Sequence, residues 1–67
     1  MNLQPVSSSR MSRVGWENNT MYIEFHDGAV YAYSNVSQSE YIAFINSSSL
    51  GHELNIFQRY HPYHRIR

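Results

Sequence analysis

The sequence predicts an α+β fold: a three-stranded antiparallel sheet followed by two short helices packed on one face. Three observations carry that prediction. Apolar and polar residues alternate strictly over residues 21–25, the period of a half-buried strand. Asp27-Gly28 follows at once, and that pair between alternating runs is a hairpin signal. After Ser37 the apolar positions change to helical spacing behind a serine cap and do not return to alternation. Strands first and helices afterwards, rather than strand and helix in turn, argue for helices segregated on one side of an antiparallel sheet.

The first strand is read from Ser12, Val14 and Trp16, which alternate with Arg13 and Gly15 and turn Trp16 inward. Glu17-Asn18-Asn19 is a turn. Met21, Ile23 and Phe25 alternate with Tyr22, Glu24 and His26 along the second strand. The third runs from about Ala29 to Ser34. Ser37 and Glu40 have the capping-box spacing, so a helix starts there and lays Tyr41, Phe44 and Ile45, with Ile42 beside them, on the sheet. Its end falls at Ser47 to Ser49, whose hydroxyls compete with the helical ladder. Ser49 then caps a second, shorter helix carrying Leu50, Leu54 and Phe57, which Pro62 stops.

The hairpin has two discrete registers. A two-residue Asp27-Gly28 loop sets Phe25 opposite Val30 and Tyr22 opposite Tyr33, gathering Tyr22, Tyr31 and Tyr33 on the outer face. A three-residue His26-Asp27-Gly28 loop, with Gly28 in the left-handed region, sets Ile23 opposite Tyr31 and Met21 opposite Tyr33, and both tyrosines turn inward. One residue of slip exchanges the faces. Ala32 and Ser34 would fill little of a thin core, so the inward register is favoured. Trp16, Ile23, Phe25, Tyr31, Tyr33, Tyr41, Ile45 and Leu54 are the expected core.

Sixty-seven residues make one domain, and a chain of this size buries only about 60% of its unfolded surface. It has no cysteine, so no disulfide reinforces it. Six tyrosines, three phenylalanines and one tryptophan supply much buried area per side chain. Formal net charge is zero, without the overall basic excess typical of nucleic-acid binders. The distribution is uneven, however. Glu17, Glu24, Asp27, Glu40 and Glu53 all precede the last fourteen residues, whereas a tail over about residues 59–67 holds Arg59, Arg65, Arg67, His61 and His64 and no acid. No apolar run reaches the roughly 20 residues of a spanning helix, and no signal sequence opens the chain, so no membrane contact and a cytoplasmic location are expected. Three Asn-x-Ser/Thr sites, at Asn18, Asn35 and Asn46, are then coincidences of an Asn- and Ser-rich chain.

The order Ser8-Ser9, Val14-Gly15-Trp16, residues 25–28, Val30-Tyr31-Ala32-Tyr33, a helix, Gly51 and Leu54-Asn55 resembles the KTSC family, a short domain named after the C-terminal segment of some lysyl-tRNA synthetases. The resemblance spans nearly the whole chain, and the family's Tyr-x-Tyr element falls on Tyr31 and Tyr33. It implies a single-domain protein of bacterial or phage-related type, with no established activity and with RNA binding suggested. The family's central residue between the tyrosines is often polar, which implies that it points out while the tyrosines point in. Two departures stand out: Ser37 occupies a position where the family tends to have proline, and His52, Glu53 and Ile56 stand where it tends to be basic.

Two functional readings follow. In the first, the chain is a non-catalytic binding module in which Arg59, Tyr60, His61, Tyr63, His64, Arg65 and Arg67 contact single-stranded RNA or another nucleic acid, arginines on phosphates and a tyrosine on a base. In the second, it is a protein-interaction or structural module, including a homodimer, and the tail packs back on the sheet or is solvated. No cofactor is expected. His61 and His64, with His26 or His52, lack the further ligands of a metal site. Ser7-Ser8-Ser9 has no nucleophile elbow or paired carboxylates around it, and no enzyme is expected.

Overall fold

A computed structural model describes residues 2–67. Its elements are β1 (Gln4–Pro5), β2 (Met11–Glu17), β3 (Thr20–Phe25), β4 (Val30–Tyr33), α1 (Gln38–Ile45), α2 (Leu50–Tyr60) and β5 (Tyr63–Arg65). Among the described residues the strands form one antiparallel sheet in the order β1-β2-β3-β4-β5. The fold is α+β with two helices, as expected, but the sheet has five strands rather than three. The two additional strands are edges of two and three residues, too short to display a period of two. Proline marks both, at Pro5 and just before β5 at Pro62, and edge strands tolerate a missing amide donor that a central strand would not.

Turn chemistry sets the registers. Asn18 and Asn19 both adopt positive φ, 52° and 59°, closing a two-residue loop between Glu17 and Thr20 with the twist that adjacent strands require. The β3–β4 loop is the three-residue one: the Phe25 amide donates to the Ala29 carbonyl at 2.8 Å, and Gly28 has φ 92°. The Ala29 amide donates to Asp27 Oδ1 at 3.0 Å, which fixes the turn from the side. Ile23 therefore stands opposite Tyr31 and Met21 opposite Tyr33, with both tyrosines on the face that the helices cover.

That inner face carries the core. Met11, Val14, Met21, Ile23 and Tyr33 from the sheet meet Val36, Phe44, Leu54 and Phe57. Phe44 and Phe57 pack edge to face at 5.1 Å, joining the two helices. Of the expected core, Ile23, Tyr33 and Leu54 are fully buried; Trp16, Phe25, Tyr31, Tyr41 and Ile45 are partly buried against them. Trp16 is partly buried, and its Nε1 donates to the Val36 carbonyl at 2.7 Å, holding the loop before α1 to the sheet.

The helix starts are those read from sequence. Ser37 accepts from the Glu40 amide while the Glu40 carboxylate accepts from the Ser37 amide, a complete capping box. Ser49 caps α2 through the His52 amide. On the outer face the chain crosses back over β2. A Cβ on Gly15 would lie 2.2 Å from the Asn2 carbonyl oxygen, so that close approach admits no side chain.

Candidate functional site

The inner face is wider than its helical cover. The residues that turn inward along the β4 edge are Tyr31 and Tyr33, and β5 pairs beside them with Arg65 opposite Tyr31 and Tyr63 opposite Tyr33. The tail is thus an edge strand, held further by the Ser34 amide donating to the Pro62 carbonyl and the Val30 amide to the Arg67 carbonyl. Period two then sends Tyr63 and Arg65 inward and His64 outward, opposite Ala32.

Four aromatic side chains line the resulting surface. Tyr63 stacks on Tyr33 with centroids 5.2 Å apart and planes 27° from parallel, and it leans on Tyr31 at 6.1 Å. Phe25 meets Tyr31 edge to face at 5.5 Å. Together they floor an open groove of about 490 Å³, within the range of small-ligand sites. Arg10, Arg65, Gln58, His26 and Asp27 surround the floor. Arg10 comes from the loop before β2 and reaches α2, donating long hydrogen bonds to Asn55 Oδ1 (3.3 Å) and the Gly51 carbonyl (3.5 Å). Arg65 donates from Nε to the Arg67 carbonyl at 3.0 Å. Neither guanidinium has a carboxylate partner among the described residues. His26 Nε2 lies 2.9 Å from the Ser8 carbonyl oxygen, anchoring the hairpin tip beside the Arg10 loop.

Tyr33 forms part of this lining from below. Its hydroxyl is buried and makes no hydrogen bond. Burial pushes the phenol pKa up, and the Gln58 amide lies near enough to oppose that shift although outside hydrogen-bond geometry.

The seven tail residues singled out in the sequence are not one cluster. Tyr63 and Arg65 enter the groove. His64 and Arg67 belong to the other face, where Arg67 donates to Glu24 Oε2 at 3.1 Å and the same carboxylate takes a two-pronged contact from Arg13 at 2.6 and 2.8 Å. The Arg13 hydrogen bond holds the Glu24 carboxyl below its usual range. His61 sits under the helices, stacked on Phe57 at 4.9 Å, with Nδ1 3.2 Å from the Ser34 carbonyl oxygen and Nε2 3.1 Å from Glu40 Oε2. Arg59 and Tyr60 end α2, where Tyr60 is 76% exposed beside a smaller cavity of about 240 Å³ that Glu40, Glu53 and Ile56 also line. Among the described residues no three His, Asp or Glu side chains gather as a metal would require. Sequence reasoning placed Phe25 with the tyrosines, but as core, and missed Arg10 and Gln58 as their neighbours. The pairing of Met11 with Phe25 places Arg10 at the hairpin tip, and the register shift between Met11 and Arg13 kept that neighbourhood out of view in the sequence.

Residues 7–60 match the family model of the KTSC domain. The chain belongs to the KTSC domain family. The KTSC match takes in β2 through α2, and with them Arg10, Phe25, Tyr31, Tyr33 and Gln58; it ends before Tyr63 and Arg65 of β5. No curated protein matches the chain.

Proposed function

We propose that this KTSC domain is a non-catalytic module that binds single-stranded RNA in the aromatic groove. The observation that carries the reading is the floor of Phe25, Tyr31 and Tyr63 flanked by Arg10 and Arg65, two guanidiniums without a carboxylate partner among the described residues. Aromatic platforms hold unstacked bases, each contributing about 1–3 kcal/mol, while arginines follow the phosphates. A chain of zero net charge can bind this way because the contact is local and does not depend on a general basic field. The working surface is accordingly the β4–β5 half of the inner face, with Tyr63 and Arg65 of the original tail set and Tyr31 in place of Tyr60.

The test is fluorescence anisotropy of a labelled single-stranded RNA against the folded domain over a salt series. Two phosphate contacts correspond to a slope of about −1.4 in log K against log salt for a single strand. Arg65→Ala should make that slope shallower by about 0.7, and Tyr31→Leu should weaken binding at every salt concentration. Binding that ignores salt, or that survives Tyr31→Leu unchanged, would remove the proposal.

The helical surface favours a second reading. Ile42, Ile56 and Tyr60 are exposed on α1 and α2 and none of them lines the groove, and apolar exposure of this kind suits a protein partner or a second copy. Sedimentation of a concentration series tests self-association on its own, a monomer at high concentration counting against it, and anisotropy tests the groove separately.

A further inference from the structure

We infer that the groove reads one base of its ligand, and that this base is guanine; the inference rests on the RNA reading above and names what that site selects. Stacking on Tyr31 and Tyr63 accepts any base, because every base has a π face. Selection therefore has to come from the polar groups around the floor, and these form an unusual set. Asp27 offers only acceptors, Arg10 and Arg65 offer only donors, and Gln58 offers both.

Guanine is the base whose edges divide in the same way. Its N1–H and N2–H₂ groups stand side by side as donors, matching the two oxygens of a carboxylate. Its O6 and N7 are acceptors that the Gln58 amide can meet while the two guanidiniums keep to the phosphates, so the carboxylate carries the selection. Adenine, cytosine and uracil lack the adjacent pair of donors, and none of them can engage both oxygens of a carboxylate at once.

Asp27 is built for this use without unfolding the turn. It is exposed at the hairpin tip, and the Ala29 amide occupies one lone-pair position on Oδ1, which leaves Oδ2 and the second position on Oδ1. The turn in return holds the carboxylate rigidly, since Gly28 and the Phe25–Ala29 hydrogen bond lock the loop. A second feature of the wall points to a polar ligand. The Tyr33 hydroxyl is buried and lacks a hydrogen bond, and the neighbouring Gln58 amide, an adjustable donor and acceptor, lines the groove beside it. A purely apolar occupant would leave that pair unused.

The experiment is a two-dimensional NMR titration of the folded chain with GMP, AMP, CMP and UMP, repeated with Asp27→Asn and run beside anisotropy on G-containing and U-only RNA oligomers. Asparagine keeps an oxygen for the Ala29 amide and suits the turn, but has only one oxygen to offer a base. GMP should bind at least about fivefold more tightly than the other three, the lower bound for one bidentate pair, with shifts at Tyr31, Tyr63 and Asp27. In Asp27→Asn that preference should fall below about twofold while AMP and UMP binding stays as it was. Equal binding of all four nucleotides by the natural chain overturns the guanine inference, as does a preference that Asp27→Asn leaves intact. Should both oligomers bind equally with the expected salt slope, the RNA reading stands and the guanine reading falls. Selective GMP binding with no oligomer bound supports the base site and removes the RNA reading.

Discussion

Tyr31 and Tyr33 lie two residues apart on β4, point to the same face and differ sharply in surroundings. Tyr33 is fully buried, under Tyr63 and in contact with the main apolar cluster; Tyr31 is half-buried at the floor of the groove. Register alone cannot produce that difference, because it assigns both rings inward. The cause is cover. The buried cluster draws two residues each from β2 and β3, one from β4 and none from β5. Helical cover thins across the sheet, so an inward ring is core at one position and platform at the next. In a protein this small, facing the core and being in it are separate properties.

The largest effect expected from breaking the comparison is Tyr33→Ala. Removing a fully buried ring costs about 3–5 kcal/mol. The whole domain, at roughly 0.05–0.15 kcal/mol per residue, has only about 3–10 kcal/mol of stability. Urea unfolding should find this variant largely unfolded, or with its midpoint far below the natural chain's. Tyr31→Ala should cost less, about 1–2 kcal/mol, since only part of the ring leaves water on folding. The same variant should lose about fivefold to a hundredfold in RNA affinity, the worth of one stacked base. Equal stability losses at the two positions would show that the groove floor is core after all.

A third test concerns what holds β5, and with it Tyr63, beside the two rings. Glu24 joins Arg13 of β2 to Arg67 beyond β5, and its carboxyl is held low first by the Arg13 hydrogen bond. Glu40 is likewise held low, by the Ser37 amide of the capping box before the His61 contact. A carboxyl whose folded pKa lies below its unfolded value adds stability above that unfolded value, near 4.5, and the addition disappears as pH falls through the folded value. Thermal melts should therefore fall as acid is added below about pH 5, and Glu24→Gln should lower the melting temperature at pH 7 and flatten that acid limb. Added salt should shrink the difference, as both arginines are substantially exposed.

Much of this architecture was legible in the residues themselves. Asn18-Asn19, Asp27-Gly28, Ser37 with Glu40 and Ser49 each perform locally what their chemistry suggests, and no distant part of the chain is needed to read them. The hairpin register was legible for a different reason: only one choice supplies enough volume to the core. The edge strands were not legible, because β1 and β5 exist only through pairing with a neighbour, and Pro5 and Pro62 disguise them further. The binding surface was half legible. Seven basic and aromatic residues adjacent in sequence were scattered by the end of a helix, a loop and a strand, while Arg10 arrived at the groove from nearly fifty residues before the tail.

The smallest stability change tests the polar end of the Tyr33 ring rather than the ring itself. Its hydroxyl is buried without a hydrogen bond, and such a group forfeits its hydration on folding with nothing in return. Tyr33→Phe keeps the ring, its stacking on Tyr63 and its core contacts, and deletes the unpaired group, so stability at pH 7 should hold or rise by about 1 kcal/mol. The alkaline side gives the sharper readout. Burial raises the folded pKa of the Tyr33 phenol above its usual 10, so the associated stability is present below pH 10 and is lost as pH rises from there through the folded value. Tyr33→Phe should therefore resist alkaline unfolding better than the natural chain, retaining the limb due to Tyr41, whose phenol is also raised by burial. An alkaline limb unchanged in Tyr33→Phe would mean that this hydroxyl reaches water through the groove, and that Tyr33 shares the open character of Tyr31.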